Sequence, residues 1–219
     1  MNKLLKSLLL GIVATFIVAG SSMALPALDA GFEWNSSDYW TITDFTTGLD
    51  GNSFFQLEIE KAIYESDFGL YTVDENGALD KKFQIFSSTI EPIGKETLSF
   101  WNDSGSWKVT KDNIADNNWM DFDIVFGFYF DVNQGYSFYT DNSLNTAEPG
   151  EEHIMTAYND NDRQVYIYLD DQIGNGDGDF NDMVVFADDV APVPEPATML
   201  LFGMGLLGLA GITRKKAKA

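Results

Sequence analysis

The chain has 219 residues, 34 of them acidic and 13 basic, with one histidine and no cysteine, for a formal net charge of −21. That charge repels nucleic acid and anionic lipid, so no nucleic-acid partner is expected; it attracts cations, divalent metals included, or serves solubility alone. Disulfides, thiol nucleophiles and thiolate metal sites are excluded, as are zinc sites built from several imidazoles.

At the N-terminus, Lys3 and Lys6 precede an apolar run from Leu8 to Ala19, and Ser22-Met23-Ala24 offers a small-x-small site. This order predicts a secretory signal peptide over residues 1–24, cleaved after Ala24. The alternative is an N-terminal anchor, for which the run is short, since a span needs ~20 apolar residues. Removing this leader and the last 27 residues leaves 25–192 as one exported domain, with seven basic residues against 33 acidic ones and a net charge of −26.

Along that domain the apolar pattern is short and β-like. Strands are predicted over 53–60, 68–73, 82–88, 122–132, 165–169 and 183–186. In the fourth, Phe122, Ile124, Phe126, Phe128 and Phe130 fall on one face. Asp50-Gly51, Asn76-Gly77, Ser104-Gly105 and Gln134-Gly135 read as turns. No helical period is sustained between the two hydrophobic ends. The fold class expected is all-β, a single β-sandwich, jelly-roll-like in strand arrangement.

Between the last two predicted strands lies Asp170-Asp171-Gln172-Ile173-Gly174-Asn175-Gly176-Asp177-Gly178-Asp179-Phe180-Asn181-Asp182. Ca²⁺ takes six to eight oxygen ligands, which closely spaced Asp and Asn supply from a compact loop. Asp170, Asp171, Asp177, Asp179, Asn181 and Asp182 are the candidate ligands. An EF-hand is excluded: Asp188 stands at the twelfth position, but the sixth is Asp182 instead of glycine, and the flanks are strands. The alternative is an ordinary Asp/Asn/Gly turn.

The tail reads Val193-Pro194-Glu195-Pro196-Ala197-Thr198, an apolar run from Met199 to Ile212 with four glycines, then Arg214-Lys215-Lys216-Ala217-Lys218-Ala219. The basic end predicts a single transmembrane helix with a cytoplasmic terminus and an exported body. Fourteen residues reach only ~21 Å of a ~30 Å hydrocarbon core, which suits a transient anchor better than a permanent one. Pro194, Glu195, Pro196, Arg214, Lys215 and Lys216, in that order at the terminus, resemble the PEP-CTERM sorting signal of bacterial exosortase substrates. The resemblance implies an exosortase-like membrane protease as partner. It also implies transient membrane anchoring, then release to the cell surface or extracellular matrix. A plain tail anchor is the alternative.

The run Gly176-Asp177-Gly178-Asp179-Phe180-Asn181-Asp182-Met183-Val184 is similar to the signature of a bacterial extracellular family, domain of unknown function 4114. Phe68-Gly69-Leu70-Tyr71, Phe126-Gly127-Phe128-Tyr129-Phe130 and Phe138-Tyr139-Thr140-Asp141 are similar as well. That resemblance implies a secreted β-rich module with a conjectured cation site and no established activity.

Catalysis finds little footing. His153 is the sole imidazole, no Gly-x-Ser-x-Gly elbow occurs, and Ser104-Gly105-Ser106 reads as a turn. Glu151-Glu152-His153 is expected at the solvated start of a strand. Among 33 carboxylates a pair at glycosidase spacing arises by chance. The reading is a non-catalytic exported protein with a Ca²⁺ site. The alternative is a carbohydrate-binding module, with extracellular polysaccharide as partner, presenting Trp34, Tyr39, Trp40, Trp101, Trp107 and Trp119.

Overall fold

The computed structural model describes residues 26–45, 50–60, 65–87, 94–111, 118–174 and 178–194. Among them, all regular structure is strand apart from one 3₁₀ turn at Asn142–Leu144. The larger sheet runs from β1 (Glu33–Asn35) through β12 (Ile154–Asn159), β13 (Gln164–Leu169), β14 (Met183–Asp188), β4 (Asp50–Glu60), β7 (Lys95–Asp103) and β8 (Ser106–Lys111) to β9 (Met120–Asp121). β3 (Asp44–Phe45) also pairs with β4. The smaller sheet runs β15 (Val190–Pro192), β2 (Trp40–Ile42), β10 (Val125–Val132), β5 (Ser66–Val73) and β6 (Leu79–Phe86), and β11 (Tyr136–Tyr139) pairs with β10. The described pairings are antiparallel.

The period of two in each strand sends one face of each sheet into a shared core. From the smaller sheet come Phe126, Phe128, Phe130 and Val132 of β10, with Phe68 and Leu70 of β5. Leu98 and Phe100 of β7, Val165 and Ile167 of β13, and Val185 and Ala187 of β14 answer from the larger sheet. Phe128 joins the layers, with its ring 5.6 Å from Trp40, 6.1 Å from Phe68 and 6.5 Å from Phe55 of β4.

The outward face of the smaller sheet is also buried. Tyr71, Tyr129 and Tyr139 cluster there. Across β5 and β10, Tyr71 lies opposite Gly127 and Tyr129 opposite Gly69, so each tyrosine ring lies over a glycine that leaves it room. Lys82 sits over the Tyr129 and Tyr139 rings at 4.3 and 5.1 Å and pairs with Asp131.

Three of the expected turns are present. Ser104 and Gly105 both have positive φ, 57° and 99°, between β7 and β8, the pattern of a two-residue hairpin. Gly77 and Gly135 take positive φ in the β5–β6 and β10–β11 connections. Asp50-Gly51, in contrast, begins β4. The strand expected from Phe122 starts at Val125, because the Asp123 side chain accepts the amides of Ile124 and Val125 and turns the chain there. Phe122 is buried all the same.

Candidate cation loop and sorting tail

The acidic loop joins β13 to β14 and is held by backbone first. The Asp170 amide donates to the His153 carbonyl and the Asp182 amide to the Leu169 carbonyl, so both ends continue the ladder. The Tyr136 hydroxyl of β11 donates to the Asp171 carbonyl at 3.1 Å, tying the loop to the smaller sheet. These anchors place Asp170, Asp171 and Asp182 in the interior, at 5, 1 and 5% exposure.

Their carboxylates are not equivalent. Asp182 Oδ2 accepts the Asp171 amide at 2.9 Å, and Asp170 Oδ1 accepts the Gln172 amide at 3.1 Å. Burial, and then the charges of Asp171 and Asp170, push the Asp182 carboxyl up to about 7, against the pull of the Asp171 amide. Asp179 and Asn181 form a separate pair: Asp179 accepts both the amide and the side-chain amide of Asn181. Phe180, between that pair, has a φ of 52° and is buried with Ala157, Tyr168 and Val184. Sequence alone does not reveal this aromatic anchor; a phenylalanine inside an Asp/Asn/Gly loop is its only signal.

The oxygen donors suit Ca²⁺ chemically. Among the described residues, no three His, Asp or Glu side chains already converge on a point that would hold a metal ion. Asp177 lies outside the described residues. Asp188 is at the far end of β14, where its side chain accepts the Asp189 amide.

His153 corrects the expectation of a solvated strand start. It is 5% exposed, and its ring stacks on Phe138 at 3.7 Å. Nδ1 faces the Asp170 carbonyl and Nε2 the Glu148 carboxylate, each at 3.1 Å. The other Glu148 oxygen accepts the Gly174 amide at 3.0 Å. Glu148 thus ties the imidazole to the acidic loop, and both ring nitrogens face these oxygens instead of a serine hydroxyl. A cavity of about 560 Å³ opens beside them, lined by Glu148, Glu152, His153, Asp170 and Gln172 among others.

The tryptophans divide. Trp40 is fully buried in the core and is no binding residue. Trp34 and Trp101 are exposed at 37 and 40%, while Tyr39, Trp107 and Trp119 are half-buried. The Tyr39 hydroxyl donates to Asp141.

The last strand among the described residues leads directly into the tail. Pro192 of β15 lies opposite Trp40, the Val193 amide donates to the Tyr39 carbonyl at 2.9 Å, and Pro194 is exposed. Residues 192–215 match the family model described as the PEP-CTERM protein-sorting motif. The chain carries a PEP-CTERM signal. The matched signal therefore begins at the last residue of β15, the last strand among the described residues. A PEP-CTERM signal implies an exported protein, transiently anchored in the membrane and processed by an exosortase, a membrane protease. Glu195, Pro196, Arg214, Lys215 and Lys216 of the signal, its expected helix, and the leader with Ala24 lie outside the described residues. No curated protein and no solved structure matches the chain.

Proposed function

We propose that the exported sandwich is a non-catalytic cell-surface or matrix domain, delivered by its PEP-CTERM signal and stabilised by Ca²⁺ at the acidic loop. The PEP-CTERM signal carries the reading. Because it begins where β15 ends, a cut within the tail releases the sandwich with its ladder whole. Asp170, Asp171, Asp179, Asn181 and Asp182 are the groups that would hold the ion, which would offset the burial and, after it, the Asp171 and Asp170 charges that raise the Asp182 carboxyl.

Calcium is plentiful outside the cell, and extracellular modules bind it at ~10⁻⁴–10⁻³ M. An ion bound only by the folded state adds RT ln(1 + [L]/Kd), about 1.4 kcal/mol at ten times Kd. Thermal unfolding in millimolar Ca²⁺ is expected to shift upward. Asp179→Ala or Asp182→Ala should remove most of the shift, and Mg²⁺ should give less of one. A melting curve indifferent to Ca²⁺ would leave the loop a plain turn.

The second reading is a carbohydrate-binding module. The exposed rings of Trp34 and Trp101 favour it.

A further inference from the structure

The acidic loop is gripped from outside by three side chains of one stretch of chain. The Tyr136 hydroxyl donates to the Asp171 carbonyl and His153 Nδ1 to the Asp170 carbonyl, each at 3.1 Å, and Glu148 accepts the Gly174 amide at 3.0 Å. Tyr136 belongs to β11, His153 directly precedes β12, and Glu148 lies in the connection between them. A carbonyl can only accept, so Nδ1 carries the proton in its bond. Stacking on Phe138 at 3.7 Å fixes the imidazole, and Nε2 lies 3.1 Å from the second Glu148 oxygen. Glu148 thus spans from the imidazole to the loop, with one oxygen on each.

These bonds hold the arm from Asp170 to Gly174 at both ends. At Gly174 the chain turns through a φ of 81°, a conformation that favours glycine. The other arm is held separately, by Phe180 packed with Ala157, Tyr168 and Val184. The two arms meet where Asp182 accepts the Asp171 amide at 2.9 Å. Among the described residues, no three His, Asp or Glu side chains already converge on a point that would hold a metal ion. An ion must therefore draw the oxygens of both arms together. An arm already held in place loses less freedom when that happens, and affinity rises accordingly. As a bare ion pair with His153, Glu148 would matter little, because its side chain is 28% exposed and pairs open to solvent add little to stability.

We propose that Glu148 is a positioning residue of the cation site. By joining His153 to the Gly174 amide it holds the Asp170–Gly174 arm where the ion meets it, and so sets the affinity for Ca²⁺. This rests on the acidic-loop reading above; the sorting route does not depend on it.

The test is an amide-resolved NMR titration of the exported protein with CaCl₂, alongside melting in chelator. Glu148→Gln should weaken Ca²⁺ binding by about tenfold or more, the scale on which groups that orient metal ligands act. Glutamine has one acceptor oxygen, so it gives up either the imidazole or the Gly174 amide. Glu148→Asp keeps the charge but is one methylene short of spanning both, and should weaken binding to a similar degree. Glu151→Gln removes the same charge from an exposed position on the same cavity and should change affinity less than about twofold. The melting temperature of each Glu148 variant in chelator should stay close to the parent's, which separates a positioning role from a structural one. Unchanged affinity in Glu148→Gln or in Glu148→Asp, while the parent binds Ca²⁺, overturns the proposal and leaves the loop reading standing. Equal weakening by Glu151→Gln reduces Glu148 to its charge and overturns it too. Failure of the parent to bind Ca²⁺ overturns the loop reading and the proposal with it.

Discussion

Gly127→Ala is expected to cost about 3 kcal/mol of folding stability, at or above the upper end of overpacking costs. A Cβ at 127 would lie 2.2, 2.3 and 2.5 Å from Cε1, Cζ and Oη of Tyr71. The ring has no free direction in which to yield. It is fully buried, with Tyr139 edge-on at 5.1 Å and Tyr39 at 6.1 Å. Its hydroxyl accepts the Asp141 amide at 3.1 Å and lies 3.4 Å from Thr140 Oγ1, which in turn donates to the Asp38 carbonyl. One added methyl therefore disturbs the loop that closes this face as well as the strand beneath it. Urea unfolding in a double-mutant cycle isolates the cause. In a Tyr71→Ala background the same Gly127→Ala change should cost less than about 1 kcal/mol, because its slot is empty. An equal cost in both backgrounds would place the strain elsewhere.

Asp182→Asn is expected to stabilise the metal-free protein above pH 7, by about 2–4 kcal/mol, since each pH unit separating folded and unfolded titration is worth ~1.4 kcal/mol. The sign follows from proton binding. The folded pKa of about 7 lies above the ordinary 3.8. Between those values the folded state holds a proton that the unfolded chain has released. Stability therefore falls as pH rises through that window and is level above it. Asparagine carries no charge at any pH, and its carboxamide oxygen can still accept the Asp171 amide. Glu152 and Asp189, whose carboxyls are also raised by burial, give slopes of the same sign in parent and variant alike. The difference between the two unfolding series, from pH 4 to 8 in chelator, reports Asp182. If the two run parallel, the Asp182 carboxylate is solvated in solution. Ca²⁺ favours the ionised form, so saturating the parent with it should flatten its slope.

The all-β architecture was legible because β5, β10, β13 and β14 carry dense aromatic and β-branched runs. Alternation on β10 gave its inward face directly. β7 was missed: only Leu98 and Phe100 mark its inner face, and Lys95, Thr97 and Trp101 face outward. β12 was missed because it is buried on both faces, with Ile154 and Thr156 on one and Ala157 on the other, so no clean alternation is left. A strand covered on both sides forfeits the period that announces it.

The candidate site was legible as a segment but not as a geometry. Composition located the loop between two strands. It did not show that Asp182 turns to the Asp171 amide while Asp179 pairs with Asn181, because backbone anchors such as Tyr136 on the Asp171 carbonyl come from another sheet. The burial of His153 was hidden for the same reason: its neighbours Phe138 and Glu148 reach it through the β11 connection. The tail, by contrast, is a linear address, and its order of proline triplet, apolar run and basic end was readable without any fold.

Intact-mass analysis of protein recovered from the cell surface tests sorting through the PEP-CTERM signal. The expected mass is that of a chain lacking residues 1–24 and lacking the apolar run and basic end that follow Pro196, with the sandwich through Pro192 intact. A stable membrane-bound species that retains the whole tail to Ala219 would contradict it and leave a permanent anchor in its place.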